Sequence, residues 1–211
     1  MTRPITFYTH PISGNAHRVE LTLRALDLPF EPQLIDLRAK EQKTGAYLAL
    51  NPFGQVPVIK DGDTVIYDSV AILTYLGLTY DKDGRWLPRD PKLFSEIMMW
   101  LAKTAGPVSA GLATARRINL FNAPADLTSA QTIGSAFMTH LNTHLTGRDW
   151  LVGDSASLAD LALYGYVAHA PEGGVSLTAF SHVTSWLERI EALPFFTPMP
   201  RSKVGLWAEQ T

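Results

Sequence analysis

The chain predicts an α/β domain followed by an all-α domain, and three features carry that expectation. Short β-rich runs alternate with helical ones up to about residue 79. A polar stretch bearing glycine and proline, "TYDKDGRWLPRDP", then spans residues 79–91 and reads as a linker. Beyond it the sequence shows helical periodicity and no convincing strand pair. The expected boundaries are 1–80 for the first domain, 81–90 for the linker and 91–211 for the helical domain.

The elements follow in order. "ITFY" reads as a strand, and "HRVELTLRALD" puts Val19, Leu23 and Leu26 on one helical face. "FEPQLID" reads as a second strand, so the opening is a short parallel βαβ unit. A brief helix around "TGAYLAL" ends at Asn51-Pro52. In "VPVIKDGDTVIY", Asp61-Gly62 between two β-rich runs signals a tight hairpin. "DSVAILTYLGL" closes the domain as a helix with Val70, Leu73 and Leu76 spaced for burial. This βαβ-α-ββα order is compatible with a thioredoxin-like sheet. In the second half, "LFSEIMMWLAKTAGPVSAGLATARRINLF" reads as a long helix kinked at Gly106-Pro107. Three further helices are expected in "LTSAQTIGSAFMTHLNTHL", "SLADLALYGYVAHA" and "FSHVTSWLERIEAL".

Composition excludes several functions. The 211 residues, 46% hydrophobic and 18% charged, argue against disorder. A net charge of −2 with no block of like charges argues against nucleic acid as partner. No signal-peptide h-region and no unbroken apolar span are legible, so a cytoplasmic protein without a membrane partner is expected. The absence of cysteine is more informative. It removes disulfides, thiolate zinc sites and cysteine nucleophiles, so any sulfur chemistry needs a thiol supplied by a ligand. The six histidines form no metal pattern. His140 and His144 are four apart without an acidic partner and read as exposed helix positions, and His169 reads as a helix-end residue. No metal is expected.

Several short motifs carry two readings each. In "THPISGNAHRV", Ser13 is either the cap of the first helix or the polar tip of an active site. Pro57 marks either an edge strand lacking an N–H or a cis Val56–Pro57 bond. Asp68-Ser69 are preferred helix starters, yet a helix N-terminus also binds anions. Gln42-Lys43 alone would read as a solvated polar segment. Ser157-x-x-Asp160 has the spacing of a capping box and is assigned to folding.

Taken together, "NPFGQVPVIKDGDTVIYDSVAILTYL", "HPISGNAHRV" and "WLVGDSASLADLALYGY" resemble the cytosolic glutathione S-transferases over the whole chain. The nearest pattern is the serine-type, phi-like or related bacterial class; other classes use a tyrosine at the end of the first strand, which makes Tyr8 the rival of Ser13. The resemblance implies glutathione as co-substrate, no metal, a homodimer, and conjugation of the glutathione thiolate to an electrophilic, largely apolar small molecule in detoxification. It implies that Ser13 donates to the thiolate, and that Val56, presented by a cis Pro57, pairs with the cysteinyl backbone in the manner of an added strand. Asp68 and Ser69 would hold the γ-glutamyl end, and Gln42, Lys43 and Gln55 the glycine carboxylate. Pro11, Ile12 and Trp207 are the implied contacts of the second substrate, and Phe53 the aromatic key of the dimer. On the same fold, a glutathione-dependent disulfide or peroxide reductase and a non-catalytic ligand-binding relative are the alternatives.

Overall fold

A computed structural model describes residues 3–206. Its first domain orders four strands as β2-β1-β3-β4: β1 (Ile5–Thr9), β2 (Phe30–Leu34), β3 (Val58–Asp61) and β4 (Thr64–Tyr67). β1 runs parallel to β2 and antiparallel to β3, and β3 pairs with β4 through a hairpin that sets Asp61 opposite Thr64. Gly62 turns that hairpin at φ 58°. β2 is exposed along most of its length, which suits an edge strand carrying Pro32.

Alternation along β1 divides the sheet's two faces. Ile5 and Phe7 enter the main core beneath α1 (Gly14–Ala25) and α3 (Ser69–Tyr80). Tyr8 turns to the opposite face, where its ring meets Tyr47 of α2 (Gly45–Leu48) edge-on at 6.1 Å. In α3, Leu73 and Leu76 are fully buried, whereas Val70 is only partly so. The expectation of a buried Val70 is corrected, because the first turn of α3 opens on a cleft.

Residues between α3 and α4 (Pro91–Lys103) are packed rather than free. The carboxylate of Asp81 accepts from the N–H groups of Arg85, Trp86 and Leu87, and Leu87 is wholly buried. Leu158 N–H donates to Trp86 C=O at 3.0 Å, joining this segment to the helical domain.

The expected long helix is broken where the sequence places Gly106-Pro107. α4 passes into π-helical turns over Thr104–Ala113, Gly106 leaves helical geometry, and α5 (Thr114–Phe121) resumes it. α6 (Leu127–His144), α7 (Leu158–Ala168) and α8 (Ser181–Glu191) complete the bundle. α7 is the central helix, packed on α1, α4 and α8, and Tyr166 is its only residue that is not buried.

The capping box forms at α7. Ser157 caps the helix while Asp160 accepts from Ser157 N–H at 2.8 Å. Asp160 also accepts from Ser157 Oγ, Leu151 N–H and Trp186 Nε1–H at 2.9–3.0 Å. Burial pushes its carboxyl up, and these donors oppose that shift. The box therefore ties α7, α8 and the preceding loop together.

His140 is exposed as expected, but His144 is half-buried, bonded to Leu151 C=O at 2.9 Å and packed on Trp100. His169 does end α7, yet it is buried against Glu172. Among the described residues no cluster could hold a metal ion, and no helix is long and apolar enough to cross a membrane.

Candidate active site

A cleft of about 610 Å³ separates the sheet domain from the kinked helices, and a smaller lobe of about 250 Å³ continues from it. The two share Asn15, Gln55, Val56, Asp68 and Ser69. Of the residues the sequence singles out, Ile12, Ser13, Gln42, Lys43, Gln55, Val56, Asp68 and Ser69 line the main cleft. Pro57 and Phe53 line the smaller lobe. Pro11 does not join them; it faces a separate cavity of about 310 Å³ on the other side of the loop, beside His17 and Phe30. Trp207 lies outside the described residues.

Ser13 fills both of its readings. It is the N-cap of α1, its Oγ accepting from Ala16 N–H at 3.2 Å, and it lines the cleft. Capping uses an oxygen lone pair, which leaves the hydroxyl proton available to a ligand. Gly14 follows because a Cβ there would sit 3.0 Å from the Tyr166 ring. Tyr8, on the other face of the sheet, lies outside the cleft lining.

Val56 is held in place by its neighbours. The Gln55 carbonyl accepts from Tyr47 Oη–H at 2.9 Å and from Asn51 Nδ2–H at 2.8 Å. The Val56–Pro57 peptide is cis. No backbone partner among the described residues engages the Val56 N–H or C=O, so both remain available at the cleft.

At α3 the structure separates two roles that the sequence leaves joined. Asp68 is the cap, accepting from Val70 N–H at 2.9 Å and Ala71 N–H at 3.3 Å, with φ 69°. A non-glycine residue at that φ is held by its surroundings. Ser69, the first helical residue, is buried and accepts from Arg18 Nη1 at 3.2 Å. Arg18 is itself buried behind it, with Nε and Nη2 lacking any hydrogen-bond partner. Burial pulls the Arg18 pKa down to about 10, while the Tyr166 and Asp68 charges push it back up. It stays protonated at neutral pH and makes this end of the cleft electropositive. Its guanidinium also lies 5.7 Å from the Tyr166 ring centre.

At the other end, Lys43 Nζ donates to Phe53 C=O at 3.0 Å. Gly54 is required there: its φ is 57°, and a Cβ would meet Gln42 C=O at 2.6 Å. Gln42 reaches Leu37 C=O at a long 3.5 Å, and its buried Oε1 has no partner.

Across the cleft, Ala105, Ser109, Ala113, Arg117 and Phe121 follow one another every fourth residue. Tyr166 and His10 complete the lining. Burial lowers the His10 pKa below its ordinary value, with Asp36 opposing, so the ring is neutral at pH 7. The sequence reading missed Asn15, Arg18, His10, Tyr166 and Arg117. Arg18 left one signal in the sequence, a cation set directly before Val19 in the run that reads as the first helix.

Comparison with known proteins bears on this arrangement. Residues 12–79 match the model of the glutathione S-transferase N-terminal domain, and residues 125–194 that of the C-terminal domain. The chain is 31% identical to glutathione S-transferase 3 of Zea mays, over 92% of this chain and 91% of the relative. Among solved structures, a glutathione S-transferase from Pseudomonas fluorescens superposes with a TM-score of 0.87 at 30% identity, covering 93% of this chain and 99% of that one. A glutathione transferase homologue from Drosophila mojavensis, solved with bound glutathione, gives 0.85 at 25% identity, with 92% and 90% coverage.

Proposed function

From a chain that belongs to the glutathione S-transferase family, we propose a serine-type transferase that joins the thiolate of glutathione to an electrophilic small molecule. The observation that carries this reading is the placement of Ser13: a hydroxyl with a free proton, at the positive end of α1, on the wall of the cleft.

The γ-glutamyl carboxylate fits the Ser69 hydroxyl and the N-terminus of α3, with the Arg18 cation behind them. The α-ammonium fits the Asp68 carboxylate. Val56 offers its N–H and C=O to the cysteinyl backbone, and Lys43, Gln42 and Gln55 line the end that suits the glycine carboxylate. This order delivers the sulfur to Ser13.

A free thiol of pKa about 8.5 is only a few per cent ionised at pH 7, and lowering it by about 2 units needs about 2.7 kcal/mol. One hydrogen bond to an anion together with a helix end supplies about that much. Ser13 acts as a donor to the sulfur anion, and no general base is required. The thiolate then attacks an electrophilic carbon held against Ile12 and the helical wall, by addition or with departure of a leaving group. The small side chains of that wall suit an apolar body, and Arg117 suits an anionic group at its far end.

Assembly as a homodimer belongs to the same reading. Phe53 is 66% exposed beside Tyr67, an apolar pair on the sheet domain's surface. Phe53→Ser should weaken the dimer by about 2 kcal/mol or more, as loss of a central aromatic anchor does. Sedimentation should show the dissociation; a monomeric parent protein would end this part of the reading.

The reaction is tested by calorimetry with glutathione, followed by product analysis with a panel of electrophiles and disulfides. Thioether products are expected. Reduction of disulfides without any thioether would favour the reductase reading, and glutathione binding without turnover the carrier.

A further inference from the structure

We propose that Arg116, backed by Glu172, is a positioning residue that reaches from the helical domain to fix the peptide plane carrying Ser13. The inference rests on the reading of Ser13 as the thiolate donor.

Ile12 C=O and Ser13 N–H belong to one planar unit. Ser13 N–H donates to His10 C=O at 3.0 Å, a bond made within the loop itself. Ile12 C=O accepts from Arg116 Nη1 at 2.7 Å, a bond made from α5 across the domain boundary. Both polar ends of the plane are therefore held, and the direction of the Ser13 side chain is set from its own backbone.

Arg116 is equally constrained behind. It is buried, and its Nε donates to Glu172 Oε2 at 2.5 Å. Glu172 Oε1 accepts from His169 Nδ1 at 2.8 Å and from Ser202 N–H at 2.9 Å. Burial pushes the Glu172 carboxyl up, but the His169, Ser202 and Arg116 contacts overcome it and hold the pKa at about 2. The carboxylate is thus charged throughout the neutral range. A planar guanidinium gripped at Nε presents Nη1 in a fixed direction, which a lysine ammonium cannot do. A buried ion pair is by itself a poor means of stabilising a domain, and well-packed apolar residues often serve better. What an apolar pair could not supply is the donor on the carbonyl next to Ser13.

The test compares Arg116→Met, Arg116→Lys, Arg116→Met/Glu172→Gln and Ser13→Ala. The readouts are the ultraviolet titration of the glutathione thiol in the complex, calorimetric affinity, thermal melting, and kcat with an activated aryl halide. The double variant removes both charges and keeps the reading open should Arg116→Met alone fail to fold. In the variants lacking Arg116, thiolate content and kcat near neutral pH should fall roughly three- to tenfold, with glutathione affinity within about twofold of the parent. Arg116→Lys should recover part of the loss, and the deficit should close above the free thiol pKa. In a Ser13→Ala background, Arg116→Met should shift the titration no further, because the two act through one group. A lowered melting temperature with an unmoved thiol titration would overturn the proposal and leave Arg116 as domain packing. An equal shift with and without Ser13 would overturn it too. If Ser13→Ala itself leaves the titration in place, the reading of Ser13 fails first and the proposal falls with it.

Discussion

The two walls of the cleft are built differently. On the sheet side, the polar groups facing the cleft are themselves held from behind. Gln55 C=O is held by Tyr47 and Asn51, Ser69 by Arg18, Lys43 by Phe53 C=O, and Asp68 by the first turn of α3. On the helical side, Ala105, Ser109 and Ala113 offer room rather than directed bonds. Arg117 there is exposed, and its guanidinium meets no carboxylate among the described residues. Donors fixed in advance suit a ligand that does not vary, since their ordering cost is met on folding. A wall of small side chains suits a partner that does vary. On the proposed function, this difference makes affinity for glutathione and choice of electrophile separable, so that each can be altered alone.

The sharpest way to break this contrast is at the sheet-side wall. Ser69→Ala should weaken glutathione binding by about 1–3 kcal/mol, the range for a hydrogen bond to a charged group. It should leave the relative rates of different electrophiles unchanged. Asp68, the observed cap, keeps α3 folded in this variant. Unchanged affinity by calorimetry would mean that the γ-glutamyl group binds elsewhere.

Tyr47→Phe should act on the same wall more weakly. It removes one of two donors to Gln55 C=O, leaving Asn51 to hold the Val56 backbone. A loss of about 0.5–1.5 kcal/mol in glutathione affinity is expected. A shift in electrophile preference instead would contradict the separation of the walls.

Arg117→Gln should give the smallest change, and only on the helical side. For an electrophile bearing a carboxylate, KM should rise by up to about fivefold, the worth of an exposed ion pair of up to about 1 kcal/mol. The uncharged analogue and glutathione itself should be unaffected. A rise in the KM for glutathione would place Arg117 on the glycine carboxylate instead.

How much of this was legible in the sequence follows from the range of the interactions. The hairpin at Gly62, the break at Gly106-Pro107 and the capping box at Ser157-Asp160 are local devices, decided within a few residues. Ser13, Gln55, Val56 and Ser69, which line the cleft, stand out in the sequence only through a family pattern. Arg18 and Arg116 do not, because their partners are distant in the chain. Arg18 meets Ser69 51 residues away, and Arg116 meets Ile12 and Glu172 at separations of 104 and 56. The helical wall was equally hidden: Ala105, Ser109 and Ala113 belong to no motif, and they line the cleft beside the break in the helix. Pro11 parts from its neighbour for a related reason. It adjoins Ile12 in the chain, but the loop turns it toward the opposite cavity.

The proposed reaction depends on Ser13 holding the sulfur of glutathione as an anion. Its most direct test is the ultraviolet titration of the bound thiol in the parent protein, Ser13→Ala and Tyr8→Phe. Removing a donor to an anion disfavours the anion, so Ser13→Ala should raise the thiol pKa by up to about 2 units, toward its solution value near 8.5. Tyr8→Phe should leave the titration where it was, since Tyr8 packs on Tyr47 away from the cleft. A titration that moved with Tyr8→Phe and stayed fixed with Ser13→Ala would contradict the account and return Ser13 to a helix cap.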